Sequence, residues 1–460
     1  MAETVKIISP IDGRVYVERP VADDAEIETA IVKARHARQA WGEITVAERA
    51  KFLSHFVDAL LGKNDEIVPE LAWQMGRPVR FGGEKRGVEE RSRHMIAIAE
   101  ESLKPVEKTD KPGFRRMITR EPLGTVMVIA PWNYPFLTAV NSIVPGLMAG
   151  NAVILKHASQ TLLVGERFAE AMKAAGLPDG LFQNLVMGHA DTERLIASGA
   201  IDHINFTGSV EGGRRIERAA AGTFATLGLE LGGKDPAYVR ADANVAYAAE
   251  NLVDGSFFNS GQSCCGVERI YVHEAVYDQF IPQFVEQARG WKLGNPLDPD
   301  TIVGPMARPQ FADLVREQTA EALRKGAQSH LKWTDARDKD GSPYLAPEVL
   351  TNVNHQMAVM REESFGPVVG IMKVKDDDEA IELMNDSPYG LTASLWTEDL
   401  DAAARLGARI ETGTVYANRC DYLDPGLVWT GVKDTGKGGA LSEIGYQNLT
   451  QPKSYHLRQL

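Results

Sequence analysis

Two adjacent thiols are the side chains of this chain best suited to covalent chemistry. Cys264 and Cys265 directly follow Gly261-Gln262-Ser263, and the 460-residue chain has one further cysteine, Cys420. A thiol is the strongest nucleophile among ordinary side chains once it is deprotonated and reachable. Buried cysteines also serve as small apolar residues. Taken alone, the pair therefore leaves both interpretations open.

A carboxylate and an amide could complete a site around such a thiol. Glu230 lies between Leu229 and Leu231, just before two glycines. An apolar setting raises the pKa of a carboxyl group toward neutrality, which suits a general base, whereas a polar turn is the alternative interpretation. Asn133 stands between aromatic residues in the segment Pro131-Trp132-Asn133-Tyr134-Pro135.

Short apolar runs that alternate with helical patterns must position these groups. The runs are 125–130, 152–155, 182–187 and 203–206. This alternation is typical of βαβ units and predicts an α/β fold with a parallel sheet, which binds ligands at the carboxyl ends of its strands. The helices between and before the runs carry local signals too, such as Thr45-Val46-Ala47-Glu48, which has the form of a capping box.

One strand end has the chemistry of a phosphate site. Phe206-Thr207-Gly208-Ser209 leads through glycines, including Gly213, into a predicted helix near Val210. Glycines let a phosphate approach the free N–H groups of a helix start, although an ordinary strand-to-helix turn has the same pattern. No G-x-G-x-x-G follows a strand, so the common dinucleotide fingerprint is absent.

Composition limits the class of protein. A net charge of −13 argues against a nucleic-acid or anionic-membrane surface, and no apolar run is long enough for a membrane span. With 460 residues, two or three domains are expected. Three cysteines give no disulfide framework and, with no visible signal peptide, favour a cytoplasmic location. The ten histidines form no metal-binding motif, so no metal site is expected.

The ordered set of motifs resembles the aldehyde dehydrogenase superfamily. The matching segments, spread over nearly the whole chain, are Pro131-Trp132-Asn133-Tyr134-Pro135, Leu155-Lys156, Phe206-Thr207-Gly208-Ser209, Leu229-Glu230-Leu231-Gly232-Gly233-Lys234, Gly261-Gln262-Ser263-Cys264 and Glu362-Glu363-Ser364-Phe365-Gly366-Pro367. The resemblance implies a Rossmann-like cofactor domain, an α/β catalytic domain and a small β oligomerisation arm.

The resemblance also implies a catalytic role for each of three residues. In the family pattern the nucleophile stands two places after Gln, which is Cys264 and not Cys265. Asn133 and the backbone N–H of Cys264 would stabilise the oxyanion of the thiohemiacetal formed with an aldehyde. After hydride has left for NAD or NADP, Glu230 would activate the water that hydrolyses the thioester. Relatives that transfer the acyl group to coenzyme A lack this Glu, so its presence favours carboxylic acid formation.

Cofactor contacts are carried over in the same way. Lys156 resembles the residue that holds the adenosine ribose, and Glu363 the one that holds the nicotinamide ribose. The remaining expected cofactor contacts are Trp132, Ser159, Gly208, Ser209, Gly213, Leu231 and Phe365. Ser159 stands where many NAD-preferring relatives have a Glu that repels a 2′-phosphate, so NADP is expected to be tolerated or preferred.

The implied architecture gives approximate domain boundaries. The cofactor domain would comprise 1–103 and 123–232, the catalytic domain 233–435, and the arm 104–122 and 436–460. Strands at Lys111–Arg120 and Ser454–Arg458 would form the arm, and their free edges predict a homodimer or homotetramer.

The aldehyde itself stays open at this level. Tyr134, Tyr422 and Trp429 could line an aromatic entrance, with ordinary core packing as the alternative. Asn141 and Ser142 stand where succinic-semialdehyde enzymes tend to have basic residues, so a carboxylate tail is not specifically indicated. A coenzyme A-acylating enzyme and a catalytically retired binding homologue are the alternative functions.

Overall fold

The computed structural model describes residues 3–460, which form an α/β fold with four β-sheets. The strands are, in chain order, β1 (Thr4–Ile8), β2 (Val15–Pro20), β3 (Val106–Lys108), β4 (Phe114–Pro122), β5 (Thr125–Ala130), β6 (Ala152–His157), β7 (Phe182–Asn184), β8 (His203–Thr207), β9 (Thr226–Glu230), β10 (Asp235–Val239), β11 (Val267–His273), β12 (Gln328–Ser329), β13 (Glu348–Thr351), β14 (Val368–Val374), β15 (Thr392–Trp396), β16 (Thr414–Ala417), β17 (Gly436–Lys437) and β18 (Thr450–Arg458).

Helices separate most of these strands. The α-helices are α1 (Asp24–Glu43), α2 (Val46–Leu61), α3 (Asn64–Met75), α4 (Lys85–Leu103), α5 (Pro135–Met148), α6 (Leu162–Ala174), α7 (His189–Ala197), α8 (Val210–Ala220), α9 (Val245–Phe257), α10 (Glu274–Ala288), α11 (Pro309–Arg324), α12 (Ala358–Arg361), α13 (Asp377–Asn385), α14 (Leu400–Gly407) and α15 (Ser442–Asn448). The capping box expected before α2 is present: the Thr45 side chain accepts from the Glu48 N–H, and the Glu48 carboxylate accepts from the Thr45 N–H.

The first large sheet has six strands in the order β17-β9-β8-β5-β6-β7, and all except β17 run parallel. Every residue of β5 and of β6 is buried, as expected for central strands covered by helices on both faces. The predicted α/β class with a parallel sheet is confirmed. The predicted strand over 182–187 is shorter, because the chain leaves the sheet after Asn184 and the Val186 carbonyl accepts from the Ala22 N–H instead.

The second large sheet has seven strands in the order β12-β13-β14-β11-β10-β15-β16. Its central strands are parallel, and only the edge strand β12 is antiparallel. Separate hydrophobic clusters cover its two faces. Because β9 and β10 are joined by the short segment 231–234, the carboxyl end of the first sheet lies beside the amino end of β10.

A third, smaller sheet contains the segments predicted to form the arm. β4 lies between β18 and β3, and β4 pairs with β18 antiparallel from Phe114↔Arg458 to Pro122↔Thr450. β17 belongs instead to the six-stranded sheet, although it lies within 436–460. Along the described residues, no helix is both long and apolar enough to cross a membrane.

Candidate active site

A strained turn carries Cys264. The 3-10 turn Phe258–Gly261 follows α9, and Asn259, Ser260 and Gly261 have φ angles of 53°, 58° and 69°. A Cβ on Gly261 would lie 2.2 Å from the carbonyl oxygen of Gly366, so only glycine fits this close approach. Left-handed backbone at non-glycine residues is costly and is commonly found at functional sites. The turn carries Cys264, a free and partly exposed cysteine, beside the end of β9 in the six-stranded sheet.

Hydrogen bonds tie Asn133 to this turn. The Asn133 Nδ2 donates to the Gln262 carbonyl oxygen at 3.2 Å, and the Asn259 Nδ2 donates at 3.2 Å to the same oxygen and to that of Asn133. Gln262 is itself held on both sides, since its Nε2 donates to the Asn259 carbonyl and its Oε1 accepts from the Ala307 N–H at 2.8 Å. The Asn133 amide group is therefore held against the turn that carries Cys264.

An ion pair that the sequence did not reveal fixes the other side of Asn133. The side chains of Arg77 and Glu84 are each 3% exposed and form a buried salt bridge. Arg77 donates to the Asn133 carbonyl oxygen through Nη2, and to Asn259 Oδ1 at 3.2 Å. Glu84 accepts from the first free N–H groups of α5, at Phe136–Leu137, at 3.0 and 2.7 Å. Nothing in the spacing of these residues along the chain indicated the arrangement.

Glu230 ends β9, close to the same turn. Desolvation raises its pKa to about 7, and the positive charge of Arg91 and a 3.4 Å hydrogen bond from the Thr207 hydroxyl oppose this rise only in part. A carboxyl group with a pKa near neutrality can both remove and return a proton at physiological pH. Leu229 and Leu231, which flank Glu230 in the sequence, are both buried as well.

The two thiols have different surroundings. Cys265 is buried, and its Sγ donates to the Asp421 carboxylate at 2.8 Å. A hydrogen bond with Cys264, burial and the Asp421 charge raise the pKa of the Cys265 thiol well above its usual range. Asp421 also accepts from the Ser263 hydroxyl at 3.2 Å, and sequence reasoning had not assigned it any contact. Cys265 is therefore a hydrogen-bond donor in a fixed position and a poor source of thiolate.

Two cavities meet at Cys264 and Glu230. The first, called here the aromatic cavity, has a volume of about 420 Å³ and is lined by Tyr134, Phe258, Tyr422 and Trp429 as well as by several polar residues. The second, called here the glycine cleft, has a volume of about 320 Å³ and is lined in part by residues at the carboxyl ends of β5, β8 and β9. Cys264, Glu230, Thr207 and Leu231 line both. The aromatic residues expected at an entrance thus lie on the side of the thiol away from the glycine cleft.

The glycine cleft brings together six of the residues expected to contact a cofactor: Trp132, Gly208, Ser209, Leu231, Glu363 and Phe365. The other three do not line it. Lys156 is buried at the end of β6 beside Ile129, Ser159 begins the 3-10 turn that follows, and Gly213 lies in α8. A Cβ on Gly213 would be 2.5 Å from the Leu231 side chain, so a glycine lets α8 pack close to Leu231.

A second buried ion pair, also missed from the sequence, holds one wall of the cleft. The Glu268 carboxylate accepts from the N–H groups of Ser364 and Phe365 at 2.8 and 2.9 Å and pairs with Lys234. The Glu363 carboxylate accepts from the Gly233 N–H at 2.9 Å, and burial together with the charge of Glu268 raises its pKa to about 7.

These features fit a nicotinamide dinucleotide. The Glu363 carboxyl group has capacity left for ribose hydroxyl groups, since the protein donates to it through the Gly233 N–H. Gly208 and Ser209, which directly precede α8, line the cleft, and the Ser209 side chain caps this helix, so a pyrophosphate bound there would lie near the helix N-terminus. The flat Trp132 ring, stacked on Phe311 at 5.4 Å between ring centroids, forms an apolar wall.

Comparisons with known proteins agree with this geometry. The model of the aldehyde dehydrogenase family matches residues 1–455. The succinate-semialdehyde dehydrogenase [NADP(+)] of Mycobacterium avium is 32% identical, over 98% of this chain and 96% of the relative. The 3-sulfolactaldehyde dehydrogenase of Priestia aryabhattai is 34% identical, over 98% and 94%.

A solved structure shows the same fold. The NADP-dependent glyceraldehyde-3-phosphate dehydrogenase of Bacillus halodurans, in complex with NADP, superposes with a TM-score of 0.94 and 31% identity, covering 100% of this chain and 96% of that one. The chain therefore belongs to the aldehyde dehydrogenase family and is an NAD(P)-dependent enzyme that oxidises an aldehyde to a carboxylic acid.

Proposed function

We propose that Cys264 is the nucleophile of this oxidation and that Asn133 stabilises the oxyanion. The observation that carries the proposal is the position of Cys264, whose thiol lies where the aromatic cavity meets the glycine cleft. An aldehyde entering through the aromatic cavity reaches Sγ, which attacks the carbonyl carbon to form a thiohemiacetal. The second N–H of Asn133 Nδ2 and the backbone N–H of Cys264 would donate to the resulting oxyanion, an interaction typically worth about 10²–10³ in rate.

Glu230 is proposed as the general base of the hydrolytic step. It lines both cavities beside Cys264, and its pKa of about 7 allows it to take a proton from water near neutral pH. The hydroxide equivalent would attack the thioester carbonyl carbon, and the acid would leave as Cys264 regains its thiolate. A thioester is stable without an activated water, so this group is what favours hydrolysis over transfer to coenzyme A.

The bound nicotinamide supplies the hydride acceptor for the oxidation. We propose that Trp132, Gly208, Ser209, Leu231, Glu363 and Phe365 contact the cofactor directly, because all six line the glycine cleft. Lys156, Ser159 and Gly213 are proposed to act at its adenosine end, beyond that cleft. Ser159 carries no charge that would repel a 2′-phosphate, so we propose that NADP is accepted at least as well as NAD.

The assembly and location are further parts of the proposal. The domain boundaries expected from the sequence, 1–103 with 123–232, 233–435, and 104–122 with 436–460, are proposed as the cofactor domain, catalytic domain and arm, except that β17, at the start of the last segment, joins the six-stranded sheet. The three-stranded sheet leaves β3 and β18 as edge strands, which supports a homodimer or homotetramer formed by strand addition. A thiolate nucleophile beside a second thiol supports a reducing compartment such as the cytoplasm.

A panel of aldehydes with NADP and NAD, followed by nicotinamide absorbance, tests the proposal. Wild-type protein should turn over at least one aldehyde, and Cys264→Ala should lose this turnover. Cys265→Ala is the matched control and should retain a substantial fraction, because its thiol donates to Asp421 instead of attacking substrate. Activity that survives in Cys264→Ala but not in Cys265→Ala would show that the roles of the two thiols are reversed.

A further inference from the structure

A buried guanidinium group without a charged partner lines the aromatic cavity. Arg91 lies on α4 and is 8% exposed. Its Nη1 donates to the Leu137 carbonyl oxygen at 3.1 Å and to Asn141 Oδ1 at 3.3 Å, and both acceptors are neutral. Within residues 3–460, no carboxylate lies within ion-pair distance of it.

The charge of Arg91 cannot be removed by deprotonation. Burial lowers its pKa, but a guanidinium group stays protonated in proteins. The carboxylate that attracts it most strongly, Glu84, already pairs with Arg77. A buried charge without an opposite charge is unfavourable, so a bound anion would stabilise this region.

The acidic residues of the cavity form no ion pair with Arg91. Glu230 lines the same cavity and is attracted by Arg91, but burial raises the pKa of this carboxyl group to about 7, so its negative charge is only partly present near neutral pH. Asp421 accepts hydrogen bonds from Cys265 and Ser263. Burial raises the pKa of its carboxyl group, so this group can avoid a buried charge by binding a proton. Glu90 is exposed at the mouth and accepts from the Tyr422 hydroxyl at 2.6 Å. Asp254 is also exposed at the rim.

A second donor lies beside the guanidinium. Asn141 is 2% exposed and lines the same cavity, and its Nδ2 has no hydrogen-bond partner among the described residues. Its Oδ1 is oriented by Arg91, which places the amide nitrogen on the opposite branch of the side chain. A buried amide nitrogen without an acceptor is costly unless a ligand supplies one.

We propose that Arg91 and Asn141 form an anion subsite, and that the substrate is an aldehyde with a carboxylate or sulfonate group on its tail. This inference rests on the proposed entry of the aldehyde through the aromatic cavity. It also replaces the sequence-based expectation that a carboxylate tail is not indicated. Position 141 is not basic, but α4 supplies the cation from a residue 50 positions earlier.

The test compares substrates of equal length. Succinic semialdehyde, butanal and aminobutanal differ in the charge of the tail, and each is assayed with NADP. Wild-type kcat/KM for succinic semialdehyde should exceed that for butanal by about 10- to 100-fold, the usual worth of a charge-assisted hydrogen bond. Arg91→Met should reduce this ratio to near one, and Arg91→Lys should restore part of it.

The ratio of kcat/KM for succinic semialdehyde to kcat/KM for butanal is not affected by changes that alter the oxidation of all aldehydes equally, such as the influence of Arg91 on Glu230. Arg86→Met is the matched control, because Arg86 lies on the same helix and lines the same cavity but is exposed. It should change the ratio by less than about threefold. Succinate should inhibit butanal oxidation competitively in wild type and about 10-fold more weakly in Arg91→Met.

The outcomes separate this inference from the proposed function. No turnover of any aldehyde by the wild-type enzyme would contradict the proposed function itself. Turnover of butanal as efficient as that of succinic semialdehyde would overturn the anion subsite and leave the function standing. A preference for aminobutanal would overturn it too and would assign the cavity to cations through Asp254 and Asp421. If Arg91→Met does not fold, the wild-type comparison still tests the preference for an anionic tail, and Arg91→Lys tests whether this preference depends on Arg91.

Discussion

Replacing Glu230 with glutamine separates the chemistry of the site from its effect on stability. Gln keeps the size and the hydrogen bond from Thr207 but cannot take a proton from water. We expect Glu230→Gln to release one burst of reduced cofactor and then to stall as the acyl-enzyme. The steady-state rate should fall by about 10²–10⁴, the usual contribution of a general base.

The same substitution should alter the pH dependence of stability. The folded-state pKa of Glu230 is about 7, above the ordinary value of 4.5, so the folded protein holds a proton that the unfolded chain releases between these values. The contribution of Glu230 to stability is therefore largest below the unfolded pKa and is lost as the pH rises through 7. The total change in the free energy of unfolding is about 3 kcal/mol, because each unit by which the folded pKa exceeds the unfolded pKa corresponds to about 1.4 kcal/mol.

Denaturant unfolding at two pH values measures this change. The variant has no proton to lose, so its stability relative to wild type should increase by about 2 kcal/mol between pH 5.5 and pH 8.5. Comparing the two proteins cancels the contribution of other groups, including Glu363, whose pKa is also raised to about 7. Glu250→Gln, an exposed carboxylate on α9, is the control and should show no such divergence.

Two results would refute this reasoning. Full steady-state turnover by Glu230→Gln would show that another group activates water. Parallel pH profiles of stability for the variant and wild type would show that Glu230 is ionised in the folded protein as easily as in the unfolded chain, and the proposed desolvation would then be wrong.

Two more predictions concern Arg77 and Ser159. Arg77→Met leaves Glu84 buried without a cation and frees Asn133, so stability should fall by about 3–5 kcal/mol and kcat by about 10-fold or more, with a smaller change in KM. Arg80→Met, which removes a neighbouring exposed cation, should do neither, and an unchanged kcat in Arg77→Met would contradict the positioning role. Ser159→Glu should lower kcat/KM for NADP relative to NAD by about 10-fold or more through repulsion of the 2′-phosphate; an unchanged ratio would place Ser159 away from that phosphate.

Local sequence patterns were sufficient for much of the fold. The apolar run at Thr125–Ala130 is a fully buried strand, and the Thr45 capping box opens α2, because strand burial and helix capping depend on neighbouring residues. Ordered motifs likewise indicated the family, which the comparisons confirm. The different surroundings of Cys264 and Cys265 could not be predicted from local patterns, because Cys265 donates a hydrogen bond to Asp421, which lies 156 residues away in the sequence.

The sequence by itself thus determined the α/β class, the family and the types of side chain available for catalysis. Tertiary structure decided which hydrogen bonds hold those side chains and which distant residues lie beside them. Arg77 contacts Asn259 across 182 positions and Asn133 across 56, and Arg91 contacts Asn141 across 50. Such contacts arise where separate helices and turns pack together, and no periodicity or spacing encodes them. For this reason the contacts that hold Asn133 and the buried Arg91 of the aromatic cavity became visible only in the folded chain.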